Sequence, residues 1–226
     1  MNIRGLSTAG VTAAPARADY IPVSVSRGKR LFDVACALGG LVLSAPLMPL
    51  LAVIIKVDSR GPVIYRQLRI GSSQPDRTEL FWIYKLRSMT TEAEKNGAQW
   101  ATANDPRITR VGLFLRKTRL DEIPQLWNVL RGDMSMIGPR PERPGFYQKL
   151  EQQIPYFAER TYGLKPGITG LAQVRQGYDR CIEDVRSKVG YDHAYALALT
   201  RIDSWLAMDT RIALHTLRVM VGRKGQ

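Results

Sequence analysis

The sequence predicts an α+β chain, mainly helical, in which a re-entrant helical hairpin is inserted in a membrane and a larger domain carries a small β-hairpin and amphipathic interfacial helices. Three observations support this fold class. An uncharged apolar run extends from Val34 to Ile55. Two segments rich in β-branched and aromatic residues then flank a polar loop, which is typical of a hairpin. Amphipathic helical segments follow in the second half of the chain.

The composition indicates a folded protein with an anionic partner. The 226 residues include 33 Lys and Arg against 20 Asp and Glu, so the formal net charge is +13. Apolar residues make up 45% and charged residues 23%, which excludes wholesale disorder and low-complexity fibres. The widely separated Cys36 and Cys181 argue against a disulfide scaffold or a cysteine zinc site and favour a reducing compartment. The basic excess fits nucleic acid, an anionic membrane face or a phosphorylated substrate.

The apolar run predicts a broken membrane helix. Residues 1–26 are rich in Ala, Ser, Thr and Gly and predict a disordered tail, and residues 27–60 form the membrane-inserted segment. The run of about 22 residues is long enough to cross a hydrocarbon core of roughly 30 Å. Pro46 and Pro49 predict a kink or break in its middle, which leaves two halves of about 12 residues each.

The charges at its ends favour a re-entrant hairpin. Basic residues precede the run at Arg27, Lys29 and Arg30, and others follow it at Lys56 and Arg60. Both ends are therefore expected to face the anionic cytoplasmic leaflet. A full span and a buried core helix are the alternatives. In lipid, the backbone groups freed by proline need partners, and the Ser44 hydroxyl is a candidate.

The larger domain, residues 61–226, begins with the predicted β-hairpin. Its strands are expected at 63–71 and 80–89, with Lys85 and Arg87 on the second strand either facing solvent or binding phosphate. A turn is predicted at 104–106. The segment 108–120 predicts an amphipathic helix, which is either solvated on a core or interfacial with its cations against lipid or substrate phosphates. The stretch 189–221 predicts one or two further helices.

The segment 116–144 carries the residues suited to chemistry. Asp121 and Glu122 precede Pro124, which suits the first turn of a helix, so Asp121 is expected near the helix N-cap. Capping alone explains an isolated pair of this kind. Here, however, three cations lie just upstream, at Arg116, Lys117 and Arg119. Arg140 stands between Pro139 and Pro141, which restrict the backbone, so its guanidinium can bind phosphate at a low entropic cost.

Carboxylates beside phosphate-binding arginines have two plausible tasks. Asp121 and Glu122 either hold Mg²⁺, which takes few carboxylates together with substrate phosphates, or attack phosphorus. Adjacent helical residues point about 100° apart, so the two carboxylates are expected to divide these tasks.

The same segment resembles a known family. LDEIPQLWNVLRGDMSMIGPRPERP is similar to the signature of the bacterial sugar transferases called monotopic phosphoglycosyl transferases, or polyprenyl-phosphate hexose-1-phosphate transferases. The resemblance extends from Lys29 to about Arg223 and includes KRLFDVACALGGLVLSAPLM, GPVIYRQLRIG, IYKLRSM and KPGITGLAQV. This chain departs from the family pattern in placing Ala45, with Ser44 one residue earlier, before Pro46.

The resemblance implies an activity and a location. Members transfer a sugar 1-phosphate from a UDP-sugar to polyprenyl (undecaprenyl) phosphate, which releases UMP and begins exopolysaccharide or other glycan assembly. The implied location is the bacterial inner membrane, with the catalytic domain, 61–226, facing the cytoplasm and anionic lipids beneath it. Mg²⁺ is the implied cofactor, and downstream glycosyltransferases are further partners.

The resemblance also implies residue roles. Asp121 matches the nucleophile that forms a covalent phospho-sugar intermediate, and Glu122 its partner in Mg²⁺-assisted catalysis. The remaining matches are nucleotide-sugar binding by Arg140 with Pro139 and Pro141, a basic position near the active site at Arg116, and the helix break at Pro46.

Two other classes compete with the enzyme. A nucleic-acid-binding protein would account for the charge, but not for the uncharged run, and no nucleic-acid motif is present in the sequence. A non-catalytic basic scaffold anchored in the membrane would make Asp121 and Glu122 replaceable. The sequence does not specify the sugar or the glycan.

Overall fold

The computed structural model describes residues 20–74, 77–95, 97, 105–176 and 181–221. The fold is α+β and mostly helical, as predicted. The helices are α1 (Val23–Ser44), α2 (Leu47–Asp58), α3 (Arg110–Thr118), α4 (Gln125–Arg131), α5 (Pro144–Gln153), α6 (Leu171–Gln176), α7 (Ile182–Ala198) and α8 (Ile202–Val221). The strands are β1 (Ile64–Ser73), β2 (Thr78–Leu86), β3 (Ser135–Ile137) and β4 (Gly167–Thr169), and 3₁₀ turns lie at Leu120–Glu122 and Glu159–Thr161.

The predicted break at Pro46 is confirmed. Helices α1 and α2 meet there with a bend of 64°. The Ser44 hydroxyl donates to the carbonyls of Gly40 at 2.7 Å and Leu41 at 3.3 Å. Pro46 removes the amide donor that would bond the Val42 carbonyl. The Ser44 hydroxyl bonds the two preceding carbonyls, so it does not replace this missing donor.

The lengths of the two halves differ from the prediction. Helix α1 has 22 residues and α2 has 12. Since α1 begins at Val23, the predicted disordered tail is wrong for residues 23–26. The reason is packing: Val25 is fully buried in a cluster with Tyr195 and Trp205. Gly28 permits this contact, because a Cβ there would lie 2.9 Å from the Trp205 ring.

The first half of α1 is tied to the larger domain by polar contacts. The Arg30 guanidinium donates to the carbonyls of Val129 at 2.6 Å and Leu130 at 2.7 Å, at the end of α4. Asp33 is buried and accepts from the Ser135 hydroxyl and the Met136 amide. This half of α1 therefore packs as part of the domain that carries α4 and β3.

The second half of α1 and α2 present apolar side chains outward. Leu43 is 82% exposed and Val57 is 83% exposed, and further exposed apolar side chains are Leu38, Val42, Leu50 and Val53. Among the described residues, no helix by itself has the length and apolar content for a membrane span, whereas the bent α1–α2 pair meets that requirement jointly.

The β-hairpin is confirmed. Strands β1 and β2 pair antiparallel, with Ile64 opposite Leu86 and Ser73 opposite Thr78. The sequence did not predict the parallel pairing of β3 with β4, which sets Ser135 opposite Gly167 and Ile137 opposite Thr169. These strands have 3 residues each, too short for a periodic signal.

The helical predictions are confirmed with different bounds. The amphipathic helix is α3, where Leu115 is fully buried while Leu113 and Phe114 are 42% and 56% exposed. The final stretch forms α7 and α8, although α7 begins at Ile182, earlier than predicted. The predicted turn at 104–106 falls partly outside the described residues; Pro106 and Arg107 do form a turn.

Candidate active site

Asp121 and Glu122 lie in the 3₁₀ turn that joins α3 to α4. Helix α3 ends at Arg119, whose φ of 59° places it in the left-handed region and redirects the chain into this turn. Pro124, expected in the first turn of α4, is its N-cap, and Asp121 lies three residues before it, near the N-cap as expected but not in the capping position. Asp121 is only 5% exposed. The turn therefore places a carboxylate in a buried position without a capping role at α4.

Lysine and arginine side chains compensate the charge of Glu122. The Lys85 ammonium on β2 lies 2.9 Å from Glu122 Oε1, and the Arg119 guanidinium lies 3.8 Å from Oε2. Burial opposes the ionisation of Glu122, but the attraction of Lys85, Arg140 and Arg119 outweighs it and lowers the pKa of Glu122 to about 2. Glu122 is thus an anion at neutral pH.

Asp121 has the opposite shift. Burial raises the pKa of Asp121 to about 6, helped by the negative charge of Glu122 and opposed by Lys85, Arg116 and Arg119. Arg116 contributes a cation from the last turn of α3, and its Nη1 atom is buried without a hydrogen-bond partner in the described structure. Adjacent carboxylates with pKa values driven apart by their surroundings are typical of catalytic pairs.

Each backbone carbonyl of the Pro-Arg-Pro segment accepts a hydrogen bond. The Gly167 amide donates to the Pro139 carbonyl at 2.8 Å. The Arg160 and Arg69 guanidiniums donate to the carbonyls of Arg140 at 3.2 Å and Pro141 at 2.9 Å. The backbone of Arg140 is therefore fixed on both sides, and its charge acts on Glu122 and Lys85.

Close backbone approach at this loop requires glycine. Gly138 donates to the Thr169 carbonyl at 2.8 Å. A Cβ on Gly138 would lie 2.4 Å from the Lys165 carbonyl oxygen, and one on Gly167 would lie 2.1 Å from the Gly138 nitrogen. The glycines of GPRP and KPG thus allow β3 and β4 to pair beneath the arginine.

The structure gives Arg87 a different position from the one expected. Lys85 reaches Glu122, but Arg87 lies just beyond the end of β2 and is 4% exposed. Its Nη2 atom donates to the Ile55 carbonyl at 3.2 Å, and to the carbonyl and hydroxyl of Ser59 at 2.6 and 3.0 Å. Arg87 therefore binds the carboxyl end of α2, where a cation is favourable. This position argues against the predicted phosphate-binding role.

A cavity of about 220 Å³ opens beside Glu122. Its charged lining residues are Arg119, Glu122 and Arg140. The rest of the lining is apolar or neutral and comprises Ile123, Leu126, Met136, Ile168, Thr169, Gln173, Val174, Thr216 and Val219. The cavity thus combines a few charged side chains with a mainly apolar wall.

A second, much smaller cavity of about 10 Å³ shares Arg140 with the first. Its lining includes Arg69, Lys85 and Gln125. Arg69 and Gln125 were not singled out from the sequence. Gln125 follows Pro124 in the signature, and Arg69 is an arginine in a strand. Both patterns also occur at solvated positions, so these two residues can be recognised only when their burial is known.

The carboxylate pair has the donor chemistry for Mg²⁺. No cluster of three or more His, Cys, Asp or Glu side chains suitable for a metal occurs within the described parts of the chain. Mg²⁺ usually takes one or two carboxylates and completes its shell with water and substrate phosphates. Asp121 and Glu122 fit that requirement when a diphosphate supplies further oxygens.

Buried carboxylates among lysine and arginine side chains, next to a mainly apolar cavity, fit a site for chemistry on phosphate groups. The chain belongs to the bacterial sugar transferase family, whose model matches residues 24–223. The match includes both the bent helix pair and the site.

Curated relatives give the match more detail. The chain is 42% identical, over 85% of its length, to the UDP-N-acetylgalactosamine-undecaprenyl-phosphate N-acetylgalactosaminephosphotransferase of Aeromonas hydrophila, of which it spans 43%. It is 40% identical, over 86% of its length, to the UDP-glucose:undecaprenyl-phosphate glucose-1-phosphate transferase of Caulobacter vibrioides, of which it spans 70%. It is 42% identical, over 84% of its length, to the exopolysaccharide production protein PSS of Rhizobium leguminosarum, of which it spans 92%.

Proposed function

We propose that this chain transfers a sugar 1-phosphate from a UDP-sugar to undecaprenyl phosphate, which yields a polyprenyl-diphospho-sugar and UMP. The buried Asp121–Glu122 pair, set among Lys85, Arg116 and Arg119, carries the proposal. The names of the Aeromonas and Caulobacter relatives support it, since both name an undecaprenyl-phosphate substrate and a UDP-sugar.

In the first half-reaction, a carboxylate oxygen of Asp121 attacks the phosphorus that bears the sugar. The new O–P bond forms as the bond from that phosphorus to the bridging oxygen of the diphosphate breaks, and UMP leaves with the electron pair. A group with a pKa of about 6 is mostly ionised at neutral pH. Its basicity exceeds that of an ordinary aspartate, which favours nucleophilic attack.

In the second half-reaction, an oxygen of undecaprenyl phosphate attacks the same phosphorus. The bond between that phosphorus and the Asp121 oxygen breaks, and the carboxylate is restored. The covalent intermediate allows a water-soluble donor and a lipid acceptor to use one site in turn.

Cationic side chains stabilise the charge on the transferred group. Hydrogen bonds to the carbonyls of Arg140 and its neighbours fix the backbone from which the Arg140 guanidinium extends, and a guanidinium suits phosphate binding. Lys85 remains paired with Glu122 and keeps that carboxylate ionised. Asp121 and Glu122 would hold Mg²⁺, which, when bound, offsets phosphate charge during such transfers.

The apolar part of the larger cavity suits the lipid acceptor. An undecaprenyl phosphate has a charged head and an apolar chain, which fits a cavity lined by Arg119 and Arg140 together with mainly apolar side chains. Leu126 lines the cavity and also packs on Gly40 of α1, where a Cβ would lie 2.8 Å from its Cδ1 atom. The bent helix pair would place this site at the cytoplasmic face of the bacterial inner membrane.

A UMP-release assay tests the proposal. The purified full chain is incubated with Mg²⁺, undecaprenyl phosphate and each of a panel of UDP-sugars, and UMP is measured. We expect release with at least one UDP-sugar and its loss in Asp121→Asn, while Asp203→Asn, a change at an exposed ion pair, retains it. Undiminished UMP release by Asp121→Asn would contradict the mechanism and favour a non-catalytic role for the pair.

A further inference from the structure

The small cavity next to Arg140 is lined by hydrogen-bond donors. Arg69 and Gln125 both line it, and they are 8% and 3% exposed. The Nε atom of Arg69 and the Nε2 atom of Gln125 are buried without a hydrogen-bond partner within the described residues. A buried donor without a partner costs free energy, so its retention needs an explanation such as a bound ligand or water.

The other bonds of Arg69 fix its position without using this donor. Its Nη1 and Nη2 atoms donate to the Pro141 carbonyl at 2.9 Å and to Gln67 Oε1 at 2.6 Å. These two bonds fix the guanidinium in place, and its Nε atom has no hydrogen-bond partner within the described residues. Gln125 lies at the start of α4, four residues after Asp121, so this donor is close in sequence to the carboxylate pair.

The charges around the cavity are unbalanced towards positive. Lys85 and Arg140 line it together with Arg69, and its lining contains no carboxylate among the described residues. Burial, together with the neighbouring cations Arg140 and Arg143, lowers the pKa of Arg69 to about 10, and the carboxylate of Glu142 opposes this shift. Crowded buried cations are stabilised when an anion joins them.

We propose that this cavity is a subsite for a phosphate oxygen of the UDP-sugar, with Gln125 Nε2 and Arg69 Nε as its donors. Its volume of about 10 Å³ is close to the space that one water-sized atom occupies, so it admits a single oxygen and not a whole phosphate group. The inference rests on the proposed function, because it takes the UDP-sugar as the ligand. It adds two ligand-binding residues to that function.

Binding of UDP and of uridine to the full chain separates this role from a structural one. The two ligands share the nucleoside, and only UDP has phosphate oxygens. With Gln125→Leu we expect the affinity for UDP to fall about 10- to 100-fold at fixed Mg²⁺, with the affinity for uridine unchanged, since a hydrogen bond to a charged group is lost. Gln176→Leu is the matched control, because Gln176 is a part-buried glutamine on α6 with bonds to Asp184 and Ser187.

Gln125→Glu separates a phosphate oxygen from a trapped water. A water molecule can donate to the new carboxylate, whereas a phosphate oxygen is repelled by it. We therefore expect Gln125→Glu to weaken UDP binding more than Gln125→Leu does, and the KM for the UDP-sugar to rise in the same order. Arg69→Lys, which keeps the charge but loses the Nε donor, is expected to raise that KM as well.

Three results would overturn the inference. Equal UDP affinity in wild type and Gln125→Leu would show that the cavity holds water and no phosphate oxygen. Equal weakening of UDP and uridine binding would show a structural role. Tighter UDP binding in Gln125→Glu than in Gln125→Leu would exclude an anionic oxygen at this position. Failure of the proposed function itself looks different, since wild type would then release no UMP from any UDP-sugar.

Discussion

The opposite pKa shifts of two adjacent carboxylates depend on where each side chain points. Glu122 meets Lys85 at 2.9 Å, whereas Asp121 is buried without an equivalent direct ion pair among the described contacts. Their spacing by one residue on a 3₁₀ turn sends the side chains in different directions. One carboxylate is therefore held as a permanent anion, and the other keeps the basicity that a nucleophile needs.

Removal of Lys85 is expected to destabilise the fold by taking away the closest cation of Glu122. Lys85→Met should lower the free energy of unfolding by about 3 kcal/mol, because both partners are largely buried and the carboxylate is left with the longer 3.8 Å contact to Arg119. Lys85→Met combined with Glu122→Gln should recover most of that stability but not UMP release. Denaturant unfolding of the four members of this double-mutant cycle measures the coupling, and purely additive effects would show that the ion pair contributes nothing.

At the scale of the elements, the bend between α1 and α2 decides how the chain meets a membrane. The bend of 64° is located at Pro46, and Arg30 and Arg87 anchor the two helices to the larger domain. Anchors at the start of α1 and at the end of α2 hold both ends on the side of that domain. This arrangement favours the re-entrant hairpin over the full span.

Pro46→Ala is expected to change this topology. Alanine restores an amide donor to the Val42 carbonyl and favours a straighter helix. Pro49 still lacks the donor for the Ala45 carbonyl, which limits the straightening. In membrane vesicles of known orientation, single cysteines introduced at Arg27 and Lys56 should both react from the cytoplasmic side in a background without the native cysteines. In Pro46→Ala, a fraction of one site should become protected. Ser44→Ala is the control, and opposite-side labelling of wild type would contradict the re-entrant hairpin.

Filling the larger cavity is expected to affect the lipid acceptor alone. Val174 of α6 lines its apolar part, so Val174→Trp should raise the KM for undecaprenyl phosphate by at least about tenfold. UMP release in a single turnover without acceptor should be unchanged, because the donor site is untouched. Val174→Ala should have little effect. A loss confined to the UDP-sugar would assign the cavity to the nucleotide instead.

The whole molecule combines a net charge of +13 with apolar side chains exposed on several helices. The exposed residues include Phe114 of α3 and Leu217 of α8 in addition to those of α1 and α2. Charge alone would give binding that salt reverses, whereas inserted apolar surface would not. The two contributions can therefore be separated by ionic strength.

Membrane attachment is expected to survive high salt. After washing with 1 M salt, a concentration that reduces the Debye length to roughly 3 Å, most of the protein should stay in the membrane fraction and require detergent for release. Deletion of residues 38–57 is not a clean comparison because it also removes the core residues Leu51 and Ile55, so Leu43→Lys with Val57→Lys is the better variant. Release of wild type by salt would indicate adsorption and not insertion.

Much of this architecture follows from local sequence signals. The break at Pro46, the hairpin and the amphipathic helix α3 are each predicted from residues close together in the chain. The start of α1 at Val23 could not be predicted, because it depends on contact between Val25 and Trp205. The pairing of β3 with β4 depends on glycines at 138 and 167 that meet only in the fold.

The site shows the same division. The motif identifies Asp121, Glu122 and Arg140, and the strand pattern includes Lys85. The sequence could not distinguish Lys85 from Arg87, because residues two apart in an extended segment are expected on the same face. In the structure, Lys85 pairs with Glu122 and Arg87 binds the end of α2. Arg69 and Gln125 emerge only when burial is known.

The most direct test of the central claim is mass spectrometry of the purified chain after incubation with a UDP-sugar, without a lipid acceptor. We expect a mass increase equal to one sugar phosphate on the peptide that contains Asp121, which disappears when undecaprenyl phosphate is added and does not form in Asp121→Asn. UMP release by wild type with no such adduct, or an adduct that persists in Asp121→Asn, would contradict the assignment of Asp121 as the nucleophile.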